Sequence, residues 1–195
     1  MSLDPKLVLL DGASASGKSS FKNALLANTG LNFRYVRRFT TRTAREDDHI
    51  NDDYIFISEQ EFQDLEQSKA LIEYRHFLFG MSYGIGSQAV RDVLTSGHNA
   101  LGLMNLGNVE AVKKAFPSSI CVLIDAPLED IKKRLESRAW HTSEQVEERL
   151  RNAADAKLLA GHYDIVVENR EGRFDEAILG LIKSLQDHGV AFASC

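Results

Sequence analysis

An α/β fold, built on a parallel sheet with helices on both faces, is predicted by three observations. Strand-like and helix-like segments alternate along most of the 195 residues. The run Ile120-Cys121-Val122-Leu123-Ile124-Asp125 is continuously apolar up to its last residue, as a parallel strand covered on both faces must be. Gly12-Ala13-Ser14-Ala15-Ser16-Gly17-Lys18-Ser19 fits the pattern G-x-x-x-x-G-K-[ST], and it lies between an apolar run and a helical repeat. A phosphate-binding loop at a strand-to-helix junction defines the P-loop NTPase fold. Small residues let backbone N–H groups turn inward around a phosphate, and the helix dipole adds positive potential there.

The elements follow in order. Lys6 to Leu10 is a short buried strand, and Phe21, Ala24, Leu25 and Leu26 repeat at helical spacing up to a stop near Gly30. Phe33 to Phe39 reads as one strand, unusually basic, followed by Thr40 to Arg45 and an acidic loop from Glu46 to Asp53. Tyr54 to Ile57 is a strand. Ser58-Glu59-Gln60-Glu61 is a capping box opening a helix with Phe62 and Leu65 inside. Leu71 to Tyr74 is a strand, Phe77 to Phe79 a further short one, and Met81 to Gly86 a glycine-punctuated turn. A helix bearing Ala89, Val90, Val93 and Leu94 ends at Gly97. His98 to Met104 is a strand, Val109 to Ala115 a helix, and Pro127 suits the first turn of a helix reaching about Arg138. After a break at Ala139-Trp140-His141, Thr142-Ser143-Glu144-Gln145 caps a long polar helix ending at Gly161. Tyr163 to Val167 is the last strand, and a helix spans about 174–187.

Composition sets limits. A net charge of −5 argues against generic nucleic-acid binding, so any anionic substrate must meet a local basic cluster. Cys121 and Cys195 make neither a disulfide framework nor a zinc spacing. The five residues before Lys6 are too short and polar for a signal peptide, and no apolar run reaches membrane-spanning length. A cytoplasmic, monomeric or homodimeric protein with no membrane or nucleic-acid partner is expected.

The loop from Gly12 to Ser20 implies ATP and Mg²⁺: Lys18 for the β- and γ-phosphates, the Ser19 hydroxyl for the metal. A second phosphate site is suggested by Arg38, Arg42, Arg45, Tyr54 and Tyr83. Arginines pair with phosphate through two parallel hydrogen bonds, which fixes geometry as well as charge. A solvated basic strand facing the acidic loop Glu46-Asp47-Asp48 would have the same composition.

Thr40-Thr41-Arg42-x-x-Arg45 followed by Tyr54, then Tyr83-Gly84, resembles the acceptor-phosphate motif of guanylate kinases. The resemblance runs from about Lys6 to Leu185 and includes Leu135-Glu136-Ser137-Arg138 and Glu148-Arg149-Leu150, similar to an arginine-bearing lid. It implies that Arg42, Arg45, Tyr54 and Tyr83 hold the monophosphate of a small phosphorylated acceptor. It makes Lys18, Arg138 and Arg149 catalytic and puts Arg134 and Asn169 on the ATP side. Glu73 matches the glutamate that reads guanine, so GMP or dGMP is the favoured acceptor. The implied layout is one P-loop kinase domain: a core of about 1–33, 91–138 and 160–195, an inserted mixed α/β acceptor lobe of about 34–90, and a helical lid of about 138–159.

Four positions depart from the guanine-reading pattern. Ile85 stands where a hydroxyl is usual, Leu103 and Asn105 replace two acidic residues, and Arg38 replaces a small hydroxyl residue. Asn105 can still hydrogen-bond a base or ribose. The added charge of Arg38 suits a more phosphorylated acceptor. Two alternatives therefore stay open: a sugar-phosphate kinase resembling ribose 1,5-bisphosphate phosphokinase, and a weakly catalytic guanylate-kinase-like binding module.

Overall fold

The computed structural model describes residues 4–44, 48, 52–77, 80–137 and 143–190. Five strands form a parallel sheet: β1 (Leu7–Asp11), β2 (Phe33–Tyr35), β7 (Asn99–Leu103), β8 (Ile120–Asp125) and β9 (Ile165–Glu168), in the order β2-β7-β1-β8-β9. Their side chains alternate between two cores, as the period of two requires. Val8, Leu10, Val122 and Ile124 face α1 (Lys18–Ala27) and the last helix, α7 (Phe174–Asp187), packing on Phe21, Leu25, Leu181 and Leu185. Leu7, Leu9, Cys121 and Leu123 face the other way, onto α3 (Ser87–Thr95) and α4 (Val109–Ala115) through Val90, Val109 and Val112. Cys121 is a buried core residue, its thiol pushed up to about 11 by burial.

A second sheet of four strands carries the segment inserted before α3. Its order is β4 (Tyr54–Phe56), β3 (Arg38–Thr40), β6 (Met81–Gly86), β5 (Leu71–Phe77), with β3–β4 parallel and the other pairs antiparallel. The expected capping box is present at the start of α2 (Glu59–Gln67): Ser58 accepts from the Glu61 N–H, and Glu61 accepts from the Ser58 N–H.

The sequence reading needs correction at several points. Phe33 to Phe39 is two strands, since the chain leaves one sheet after Tyr35 and enters the other at Arg38. Met81 to Gly86 is a central strand and not a turn. Its glycines answer close approach: a Cβ on Gly84 would sit 3.1 Å from the Glu73 carbonyl oxygen, and one on Gly86 2.9 Å from the Phe39 ring. The first helix ends at Ala27, before Gly30, because the Asn28 side chain accepts from the Gly30 N–H and starts a 3₁₀ turn over Thr29–Leu31. Pro127 stands at the N-cap of α5 (Leu128–Glu136), one residue before its first turn, and this helix has no side-chain cap. Arg45, Leu78, Phe79, Arg138, Trp140 and Thr142 fall outside the described residues.

Candidate active site

The loop between β1 and α1 has the backbone that only glycine supplies. Gly12 has φ 144° and Gly17 φ 108°. A Cβ on Gly12 would lie 2.3 Å from the Ile124 carbonyl oxygen, and one on Gly17 2.2 Å from Asn169 Nδ2. The loop is thus wedged between β8 and the residue that ends β9. Lys18 Nζ donates to the carbonyls of Gly12 at 2.5 Å and Ala13 at 2.8 Å, curling back over the loop. Ser19 and Ser20 are exposed on the first turn of α1. This glycine cradle, with its lysine and exposed hydroxyl, fits a nucleoside triphosphate and a hard cation.

Three residues from the last third of the chain converge on this loop. Asn169 donates to the Ser16 carbonyl at 2.7 Å. Arg134, on α5, donates to the carbonyls of Ala15, Ser16 and Asn169 at 3.3, 3.4 and 3.1 Å. Arg149, on α6 (Ser143–Leu158), donates to Ser14 Oγ at 2.7 Å. Beneath these contacts Ala13, Ile131, Leu135, Val146 and Ala153 form a small apolar core that seats α5 and α6 against the loop. Arg134 and Arg149 therefore face the phosphate loop and are not merely paired along a solvated helix. A cleft of about 510 Å³ opens beside them, lined by Ala15, Gly17, Arg134, Asn169 and Gly172 among others.

Across the carboxyl ends of the parallel strands lies the second cluster. Arg42 is nearly buried and makes a two-pronged pair with Asp48 at 2.6 and 2.7 Å. Its guanidinium stacks 4.8 Å from the Tyr54 ring and 5.3 Å from that of Phe56. The Asp48 bond holds the Arg42 pKa above its ordinary value. Tyr54 and Tyr83 pack edge to face at 5.8 Å, and burial raises the Tyr54 hydroxyl.

Arg38 has a different set of neighbours. It donates to Asn105 Oδ1 at 2.5 Å and lies 5.1 Å from the Tyr83 ring. Asn105 donates in turn to Glu73 Oε2, from Nδ2 at 2.9 Å and from its backbone at 3.2 Å, and Asn108 Nδ2 donates to the same oxygen at 2.8 Å. Glu73 is 2% exposed and its pKa is raised, chiefly by burial. Ile85, opposite Glu73 in the strand pair, is fully buried and apolar, and Leu103 belongs to the core under α1.

Sequence reasoning passed over three features. Asp11, directly before the loop, is buried, accepts from the Gly12 N–H at 2.6 Å and from the Tyr163 hydroxyl, and burial raises its pKa. Lys22 and Asp53 form a buried ion pair, with Lys22 over the Tyr35 ring at 4.9 Å. Asn108 joins the Glu73 network. A charged residue ending an apolar strand, as Asp11 does, was the one signal available. The other two depend on pairings across distant segments. Among the described residues no group of three or more His, Cys, Asp or Glu side chains could hold a metal, and no helix is long and apolar enough to cross a membrane.

A phosphate loop beneath two helical arginines, with a second arginine–tyrosine cluster on the neighbouring sheet, has the character of a P-loop phosphotransferase. The comparisons make the class narrower. A family model described as guanylate kinase matches residues 4–188. A guanylate kinase of Bacillus cereus is 30% identical over 164 residues, covering 84% of this chain and 80% of that protein. The fold matches the crystal structure of guanylate kinase from Anaplasma phagocytophilum with a TM-score of 0.71 at 22% identity, over 100% of this chain and 92% of that one. It also matches a shikimate kinase from Aquifex aeolicus with a TM-score of 0.51 at 18% identity, over 93% and 96% of the two chains. The chain belongs to the guanylate kinase family, and in class it is a nucleoside monophosphate kinase.

Proposed function

We propose that this enzyme transfers the γ-phosphoryl group of ATP to GMP or dGMP. The observation that carries the acceptor is Glu73. A buried carboxylate holds three N–H donors on one oxygen, while the other oxygen, Oε1, has no partner among the described residues. A guanine edge offers ring N–H and amino donors to such an oxygen, and adenine offers an acceptor in the same place.

The remaining roles follow from position. The loop residues Gly12 to Ser20 hold the triphosphate, and the cleft lined by Arg134, Asn169 and Gly172 takes the adenosine end. Ser19 would hold Mg²⁺, which supplies neutralising charge between the phosphates. Arg42, Tyr54 and Tyr83, with Arg45, hold the acceptor monophosphate, which displaces Asp48 from Arg42. Lys18 then leaves its two loop carbonyls, and Arg149, with Arg138, closes on the transferring group. Transfer between phosphate oxygens needs alignment and charge neutralisation and no covalent partner. The lid arginines provide that charge once both substrates are in place, which limits loss to water.

The test is ADP formation from Mg-ATP with GMP, dGMP, AMP, UMP, CMP and ribose 1,5-bisphosphate offered singly. Turnover confined to GMP and dGMP is expected. Turnover with the sugar bisphosphate alone would overturn the acceptor, and silence with all six in protein that binds ATP would overturn the kinase reading.

A further inference from the structure

The cluster around Asn105 contains two buried polar atoms of opposite character that nothing among the described residues satisfies: Glu73 Oε1, an acceptor, and Arg38 Nε–H, a donor. Each carries a desolvation cost that a native site tolerates only for a reason. They are not independent. The Asn105 side chain bridges their owners, taking Arg38 Nη2 on its oxygen at 2.5 Å and giving its amide to Glu73 Oε2 at 2.9 Å. A second amide bond from Asn105, to the Tyr83 carbonyl at 3.2 Å, and the Asn108 bond to Glu73 fix the bridge in place. One planar amide therefore sets the separation of carboxylate and guanidinium, and each is left with one unsatisfied atom. The facing strand gives no rival donor, since Gly84 has no side chain and Ile85 is apolar.

We infer that Arg38 is a specificity-determining residue of the acceptor site: its Nε–H donates to the exocyclic oxygen of the acceptor base while Glu73 Oε1 accepts the adjacent ring N–H. The pair reads a lactam edge. This inference rests on the base-bearing acceptor proposed above. A 6-oxopurine presents N1–H and O6 side by side and satisfies both atoms. Adenine and cytosine present the reverse order, so donor would meet donor and acceptor would meet acceptor. A site built on buried hydrogen-bonding groups rejects such a mismatch far more strongly than an apolar pocket does. Uracil shares the lactam edge but lacks the purine's width and the 2-amino donor. Both reading atoms are shielded from solvent, so the base reaches them by moving a side chain, and the partly exposed Tyr83 ring is the one lying against Arg38. In this reading Arg38 serves the base and Arg42 the phosphate, in keeping with their separate partners, Asn105 and Asp48.

The test is steady-state kinetics of wild type, Arg38→Met and Arg38→Lys with GMP, IMP and 6-thio-GMP, at varied ATP. Sulfur at position 6 is a weak acceptor, so wild type should prefer GMP over 6-thio-GMP by about 10- to 100-fold in kcat/KM, the range of a buried charged hydrogen bond. IMP keeps both reading atoms and lacks only the 2-amino donor, so its loss relative to GMP should be the same in wild type and in both variants. In Arg38→Met the GMP value should fall by about that factor, 6-thio-GMP should change little, and the preference should collapse with the ATP KM unmoved. Arg38→Lys keeps the positive charge opposite Glu73 and lacks Nε, so it should fold as wild type and still lose the preference. Equal losses for GMP and 6-thio-GMP in both variants would assign Arg38 to the phosphate and overturn the inference alone. No wild-type turnover with GMP or IMP would remove the acceptor assignment and the inference with it.

Discussion

Arg149 and Ser14, 135 residues apart in sequence, share a hydrogen bond of 2.7 Å between the Arg149 guanidinium and the Ser14 hydroxyl. The bond holds a cation from α6 against the phosphate loop. If the arginine's work is done in the transition state, the serine is only its resting place. Arg149→Ala should then lower kcat by about 10³-fold or more, the scale of an arginine that neutralises a transferring phosphoryl group. Ser14→Ala should lower it less than tenfold. Equal effects in the two variants would make the contact itself the important feature.

Lys18 spends its ammonium on two carbonyls of the loop it serves, Gly12 and Ala13. Lys18→Ala should abolish transfer and leave the melting temperature and circular dichroism near those of wild type. Activity within tenfold of wild type would sink the assignment of this loop to the donor phosphates.

Arg42 is held by Asp48 and by the Tyr54 ring. Because a positioned phosphate matters in both the ground and transition states, Arg42→Ala should raise the acceptor KM and lower kcat together. A rise confined to the ATP KM would place Arg42 at the other phosphate. Loss of the pair also removes a cation from beside Asp48, so thermal scans of the free and ATP-bound variant belong with the kinetics.

Gly17 tests the wedge. An alanine there meets both a left-handed φ of 108° and the Asn169 amide at 2.2 Å. Strain of about 1–3 kcal/mol is expected from the backbone alone, or roughly 2–12 °C in a chain of this size. Gly17→Ala with Asn169→Ala should recover the part due to the clash and none of the part due to φ. Full recovery would show that the backbone term is negligible.

Glu73 gives a pH signature. Burial raises its pKa above the ordinary 4.5, so the folded protein holds this proton more tightly than the unfolded chain. The stability it contributes is present below pH 4.5 and is lost as pH rises through the folded value. The difference in melting temperature between Glu73→Gln and wild type should therefore shift in favour of the variant as pH rises through that window. Base binding runs the other way, since only the ionised carboxylate accepts from the ring N–H without competition from its own proton. The wild-type KM for GMP should fall over the same window, and the trend should vanish in Glu73→Gln. A flat KM would mean that the carboxylate does not meet the base.

Much of the core was legible in the sequence because local pattern and tertiary role agree there. The run Ile120 to Asp125 is β8, Val109 to Ala115 is α4, and the G-x-x-x-x-G-K-[ST] loop sits between strand and helix as its chemistry requires. The inserted sheet and its approach were less legible. Strands β3 and β4, like β2 just before them, have three residues each, too short to show a period. Gly84 and Gly86 imitate a turn while filling a strand. The individual arginines were visible from their spacing, but their different partners were not. Nothing near Arg38 in sequence announces Asn105, which lies 67 residues away and decides which way Arg38 points.

The buried pair of Lys22 and Asp53 ties the two halves of the site mechanically. Lys22 stands one helical turn beyond Lys18, and Asp53 immediately precedes Tyr54. The Arg38 N–H adds a backbone bond to the Asp53 carbonyl at 3.0 Å. Separating α1 from the second sheet would break this buried ion pair. Asp53 is thus pinned from two sides, by Lys22 of α1 through its side chain and by Arg38 of β3 through its backbone, so the P-loop helix and the second sheet share one anchoring residue.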